Sequence, residues 1–166
     1  MFYLRKHVIE CMQHLHAIGD TTAYALYHLL DLTQQLKPSQ VYSHTLLMEK
    51  YSSQLGTFKS SLEELINNER FAYVTDFNNQ AKHKGLALPQ LALSIDEEDP
   101  VQRLFFGSIT KKYDNFQREG VRHLHPNIPI VQFLSDEIHR ITDVHNELAQ
   151  KIMGYLVQLP SRIPLQ

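Results

Sequence analysis

A chain of 166 residues with a formal net charge of −2 is long enough to bury one hydrophobic core and calls for a single domain over 1–166. The near-neutral charge excludes a global attraction to nucleic acid or to an anionic membrane, so any nucleic-acid site has to be a local patch. The lone Cys11 excludes an internal disulfide framework, no apolar run reaches the length of a membrane span, and Arg5, Lys6, His7 and Glu10 interrupt any secretory apolar region; a cytoplasmic location is the expectation.

In chain order, Leu4, Val8, Cys11 or Met12, Leu15 and Ile18 recur at helical spacing, and Gly19-Asp20 breaks the pattern. Asp20 or Thr21 then caps a second helix carrying Ala23, Leu26, Tyr27 and Leu30 and running to Lys37-Pro38, antiparallel to the first. Pro38-Ser39 opens a third helical stretch with Val41, Thr45, Met48, Leu55, Leu62, Leu65 and Ile66 inward, and Gly56 inside it predicts a kink or a close crossing. Asn67-Asn68 marks a joint. Phe71, Val74, Phe77 and Ala81 form the stripe of a fourth helix ending at Lys84-Gly85.

The pattern changes after Gly85. Residues 86–95 and 101–109, separated by the acidic turn Asp96-Glu97-Glu98-Asp99-Pro100, read as two short strands in a β-hairpin, with Pro89 assigning the first to an edge. A short helix is expected from Lys111 to Arg118 and a loop from Gly120 to Pro129. From Val131 onward Leu134, Ile138, Ile141, His145, Leu148, Ile152, Tyr155 and Leu159 recur at steps of three and four. That is one apolar seam on a helix of about 30 residues, which needs partner helices to cover it. The expected fold is therefore mainly α: an antiparallel bundle of about five helices, with a small β-hairpin insertion over about 86–110 before the long C-terminal helix and a tail at 160–166.

The densest polar cluster is on the fourth helix: Asp76, Asn78, Asn79, Gln80, Lys82 and His83. Asp76, Asn79 or Gln80, and His83 share one face, where a carboxylate, an amide and an imidazole bind a phosphate or position a water, with Lys82 and Lys84 adding charge. The same residues also make an ordinary solvated face with His and Lys at the negative helix end. His7, Cys11 and His14, with Glu10, stand at i, i+4, i+7 spacing compatible with zinc, while Cys11 equally belongs to the apolar stripe. The pair His123 and His125, and Asp136, His139 and Asp143, join a site only if the fold gathers them. His145, inside the seam, needs a hydrogen-bond partner, with Tyr24, Tyr27 and Tyr51 as candidates. Lys111, Lys112, Tyr113, Phe116, Arg118 and Arg122 form a modest basic and aromatic patch.

The run Asn79-Gln80-Ala81-Lys82-His83-Lys84, at the end of a helix and followed by a short β segment and a long closing helix, resembles divergent members of the HEPN superfamily. That resemblance implies a helical bundle, often dimeric, whose active members are metal-independent ribonucleases in toxin, antiphage and RNA-processing systems. Their motif joins an arginine to a histidine across a composite dimer site. Here the histidine corresponds to His83, but the residue five before it is Asn78, and Arg70 lies outside the spacing. Asparagine cannot neutralise the charge of a phosphorane, so the resemblance implies fold kinship more than nuclease activity.

No P-loop, GxGxxG, GxSxG, CxxC or HExxH is present, and no cofactor is implied. Three readings follow: a HEPN-like binding or regulatory homodimer of a defence, toxin or stress system, with an RNA or protein partner and no strong catalysis; a ribonuclease acting through His83 with Asn78, Asn79 and Asp76, and with Gln80, Lys82 and Lys84 binding; and a metal-binding bundle.

Overall fold

Two long helices frame the molecule, α1 (Phe2–Leu29) and α5 (Ile130–Gln158), and between them lie α2 (His44–Tyr51), α3 (Phe58–Ile66) and α4 (Glu69–His83). The computed structural model describes residues 2–36, 42–83, 91–93, 104–106, 109–110, 124–125 and 128–158. The expected architecture is the observed one: a mainly α bundle of five helices with a small β insertion before the closing helix. In that insertion β1 (Leu91–Leu93) pairs antiparallel with β2 (Leu104–Phe106), with Leu91 opposite Phe106. The expected helix at 111–118, the basic patch at 111–122 and the tail at 160–166 lie outside the described residues.

Strand pairing extends beyond the hairpin, into a three-stranded sheet and a separate two-stranded pair. β2 also pairs with β5 (Ile128–Pro129), and β3 (Ile109–Thr110) pairs with β4 (Leu124–His125), so part of the expected 120–129 loop is strand. Phe106, fully buried, anchors the insertion on the bundle. Its ring meets Phe77 of α4 at 5.2 Å, Tyr73 of α4 at 5.7 Å and Phe133 of α5 at 6.2 Å. Such edge-on and tilted aromatic contacts add specific geometry to the area they bury.

The expected break at Gly19-Asp20 does not occur, and α1 runs through it. Gly19 is in the helix because of what packs on it: a Cβ there would stand 2.9 Å from Cζ of Phe71 and 3.1 Å from Nδ1 of His44. Asp20 does not start a new helix as expected; its carboxylate instead accepts from the backbone N–H of His44, in the first turn of α2, at 3.1 Å. The chain leaves α1 through Asp31, with φ 54°, and a 3₁₀ turn at Thr33–Gln35.

The third stretch is two helices. Ser43 caps α2 by accepting from the N–H of Leu46 at 3.2 Å, and the 3₁₀ turn Ser52–Gln54 then runs into Gly56, whose φ of 53° is the left-handed conformation that glycine adopts without strain. Asn68 makes the joint between α3 and α4. Its amide donates to the carbonyls of Glu64 and Leu65 while its side-chain oxygen accepts from the N–H of Phe71 at 2.9 Å.

The core face of α5 is rotated from the expected seam. Ile130, Phe133, Glu137, Ile141, Val144 and Leu148 are buried, Leu134, Ile152 and Tyr155 pack at its margin, and Val131 and Ile138 are each 46 % exposed. Glu137 stands on that buried face. It is fully buried and held by Arg140 at 2.6 Å and 2.9 Å, and Arg140 also donates to the carbonyls of Glu64 at 2.8 Å and Leu65 at 3.2 Å at the end of α3. The carboxylate thus reaches the core only because a guanidinium that also closes α3 accompanies it.

Candidate functional site

Gly19 packs against Phe71 and His44, two residues that line a polar cleft. Without a side chain at that position, α2 and α4 approach α1 closely enough for His44 and Phe71 to meet at 5.5 Å, edge to face, while His16 stacks on Phe71 at 6.3 Å. Around these rings lies a cleft of about 480 Å³ bounded by α1, α2 and α4. Its polar wall is His16, Asp20, His44, Glu49, Asp76 and Asn79, and its apolar wall includes Met48, Ile66 and Phe71.

In that wall Nδ1 of His44 stands 2.7 Å from Oδ1 of Asp20. The His44 side chain holds the Asp20 carboxyl below the usual carboxylate range, against a smaller opposing effect of burial. An ionised carboxylate on Nδ1 keeps the proton on that nitrogen and leaves Nε2 as the acceptor of the neutral ring. This is an oriented imidazole able to accept a hydrogen bond or a proton.

Across the cleft, Oδ2 of Asp76 accepts from Nε2 of His125 at 2.9 Å, and both side chains are nearly enclosed, at 8 % and 9 % exposure. The pair ties α4 to the β insertion, and the ring of His125 stands edge-on to Tyr73 at 5.0 Å. Of the paired histidines expected at 123 and 125, His123 lies outside the described residues.

The polar run on α4 divides among different surroundings. Asp76 and Asn79 line the cleft, and Gln80 is half-buried. Asn78 is buried and donates to the carbonyls of Met12 at 2.8 Å and Val74 at 3.0 Å, fastening α4 to α1. Lys82 is exposed, His83 closes the helix with its side chain outside the described residues, and Lys84 lies outside them too.

The other sequence candidates settle locally. His7 sits on the surface 3.3 Å from Glu10, Cys11 is half-buried with its thiol pushed up by desolvation, and among the described residues no three histidines, cysteines or carboxylates stand together to hold a metal ion. His145 is bonded to Thr22 at 3.0 Å rather than to a tyrosine. Asp136 pairs with Arg70 at 2.9 Å, and His139 bonds the carbonyl of Ser135. Lys151, Ser60, Ser61 and Glu147 form a Ser–Lys cluster between α3 and α5. Lys151 and Ser61 together hold the Glu147 carboxyl below its usual range, which marks an ion-paired fastening and not a serine activated by a neutral amine.

Sequence reasoning missed His44 and Asp20 as partners because 24 residues separate them and neither belongs to a local motif. Comparison with protein-family models, curated proteins and solved structures finds no match to this chain.

Proposed function

We propose that this protein is a HEPN-like helical binding domain that acts as a homodimer, without strong catalysis of its own, and that its ligand enters the cleft between α1, α2 and α4. The observation that carries the reading is the oriented Asp20–His44 pair facing a cavity that also collects Asp76 and Asn79. A cleft with three carboxylates and no lysine or arginine among its described lining residues favours hydrogen-bonding ligands over phosphate. That charge balance also weighs against phosphoryl transfer there, which needs a cation on the developing charge.

The ribonuclease reading, with His83 acting on a 2′-hydroxyl, draws on the α4 run alone, and Asn78 is already committed to the Met12 carbonyl. The test is amide chemical-shift mapping against a panel of small polar fragments. The expected result is a cluster of perturbed amides around Asp20, His44 and Asn79 that His44→Ala abolishes. Perturbations confined to other surfaces overturn the assignment, and a strict monomer in light scattering removes the dimer.

A further inference from the structure

Two cavities flank α4, and their charges are settled differently. The smaller, of about 280 Å³, lies where that helix meets β4, β5 and α5. Both oxygens of Asp136 there are taken, by Arg70 at 2.9 Å and by Gln132 at 2.6 Å, and His125 is paired with Asp76. The larger, the cleft between α1, α2 and α4, has no such balance. Its described lining includes three carboxylates, Asp20, Glu49 and Asp76, and neither lysine nor arginine. With its two histidines neutral, that wall is strongly negative.

The three carboxylates play different parts. Asp76 is buried and committed to His125, so it contributes to the field rather than to contact. Asp20 is accessible, its side chain 42 % exposed, and His44 holds its carboxyl in the ionised form. Glu49 is exposed and carries no ion pair among the described residues. Beside these two reachable anions stand the half-buried side chains of Met48 and Ile66. Ionised carboxylates only accept hydrogen bonds, so such a wall is complemented by a ligand that brings donors and positive charge. Among the described residues no three groups stand together to hold a metal ion, and about 480 Å³ is the size of a small-molecule site, so the cation that fits is organic.

We propose that the cleft binds a small organic cation, an ammonium or guanidinium on a short apolar body, with the head group held by Asp20 and Glu49 and the body lying on Met48 and Ile66. This inference rests on the cleft being the ligand site, as proposed above, and adds the charge class of the ligand.

Three probes of equal chain length separate the charge classes: n-butylamine, n-butanol and n-butyrate, each titrated into the whole protein and followed by amide shifts. Butylamine is expected to bind best and to perturb Asp20, His44, Met48 and Glu49 rather than Arg70 and Phe133 of the smaller cavity. Raising the salt concentration should weaken butylamine and leave butanol unchanged. Glu49→Lys reverses a charge at an exposed position with the fold intact; it should weaken butylamine about fivefold and strengthen butyrate. Butanol or butyrate binding in the cleft as tightly as butylamine, or a butylamine affinity unchanged in Glu49→Lys, overturns the cation and leaves the cleft as a ligand site. No perturbation of the cleft by any of the three overturns both.

Discussion

Two glycines in long helices make opposite predictions for the same substitution. Gly19 in α1 and Gly154 in α5 both occupy helical positions, where alanine is favoured by up to about 1 kcal/mol on propensity alone. A Cβ at Gly154 meets nothing within 4 Å, so Gly154→Ala should gain that full increment. A Cβ at Gly19 would lie 2.9 Å from Cζ of Phe71 and 3.1 Å from Nδ1 of His44, both well inside ordinary contact. Phe71 is buried between α1 and the His16 and His44 rings, and His44 is bound twice by Asp20, so neither neighbour swings away freely. Overpacking of this kind costs about 1–3 kcal/mol, which offsets or exceeds the helical gain of up to about 1 kcal/mol and leaves Gly19→Ala destabilised by up to about 2 kcal/mol. Urea unfolding followed by far-ultraviolet circular dichroism reads both variants against wild type. A Gly19→Ala protein as stable as Gly154→Ala would refute the close approach of α2 and α4 to α1, and with it the construction of the cleft.

Further outcomes follow from the buried polar groups. Tyr73→Phe removes an unsatisfied hydroxyl and should leave the free protein as stable as wild type or more stable by about 1 kcal/mol in urea unfolding; a loss of similar size would reveal a hydrogen bond to that oxygen. Arg140→Met strands the fully buried Glu137 carboxylate and frees two α3 carbonyls, so a loss of about 3–5 kcal/mol is expected in the same assay, largely recovered when Glu137→Leu is added. Desolvation lowers His145 below the ordinary histidine value of about 6.5 in the folded protein, so the unfolded chain binds the proton more tightly. Its contribution is therefore full above about pH 6.5 and is lost as the pH falls through the lower folded value; thermal melts across that window should fall less steeply for His145→Gln than for wild type.

The sequence made the helical class, the position of the insertion and the length of α5 legible, because each rests on periodicity or on turn residues close together in the chain. The apolar seam misphases α5 because a periodicity built on apolar residues passes over the buried Glu137. Burying Glu137 depends on Arg140 and on carbonyls some 75 residues away, a circumstance no local pattern records. The false break at Gly19 has the same origin. Glycine followed by aspartate is a common helix ending, and here the absent side chain serves a tertiary approach while Asp20 caps α2. At the candidate site the α4 stripe was visible and His125 was a candidate conditional on the fold, which brings it to Asp76, whereas His44 of α2 belongs to no local pattern and was not visible.

The position of α4 explains why its polar run has such mixed surroundings. Glu69, Arg70 and Tyr73 fall on one flank of the helix and face the smaller cavity, whereas Phe71, Ala72, Thr75 and Asn79 fall on the other and face the cleft. Val74, Phe77 and Asn78 occupy the buried stripe between those flanks, which is why Asn78 serves the Met12 carbonyl and not a ligand. Asp76 stands seven residues after Glu69, two helical turns along nearly the same line, which sets it beside the flank that faces the smaller cavity. It lines the cleft, yet its partner His125 lines the opposite cavity. A single hydrogen bond of 2.9 Å therefore belongs to both walls, and whatever displaces His125 in one cavity changes the carboxylate presented to the other.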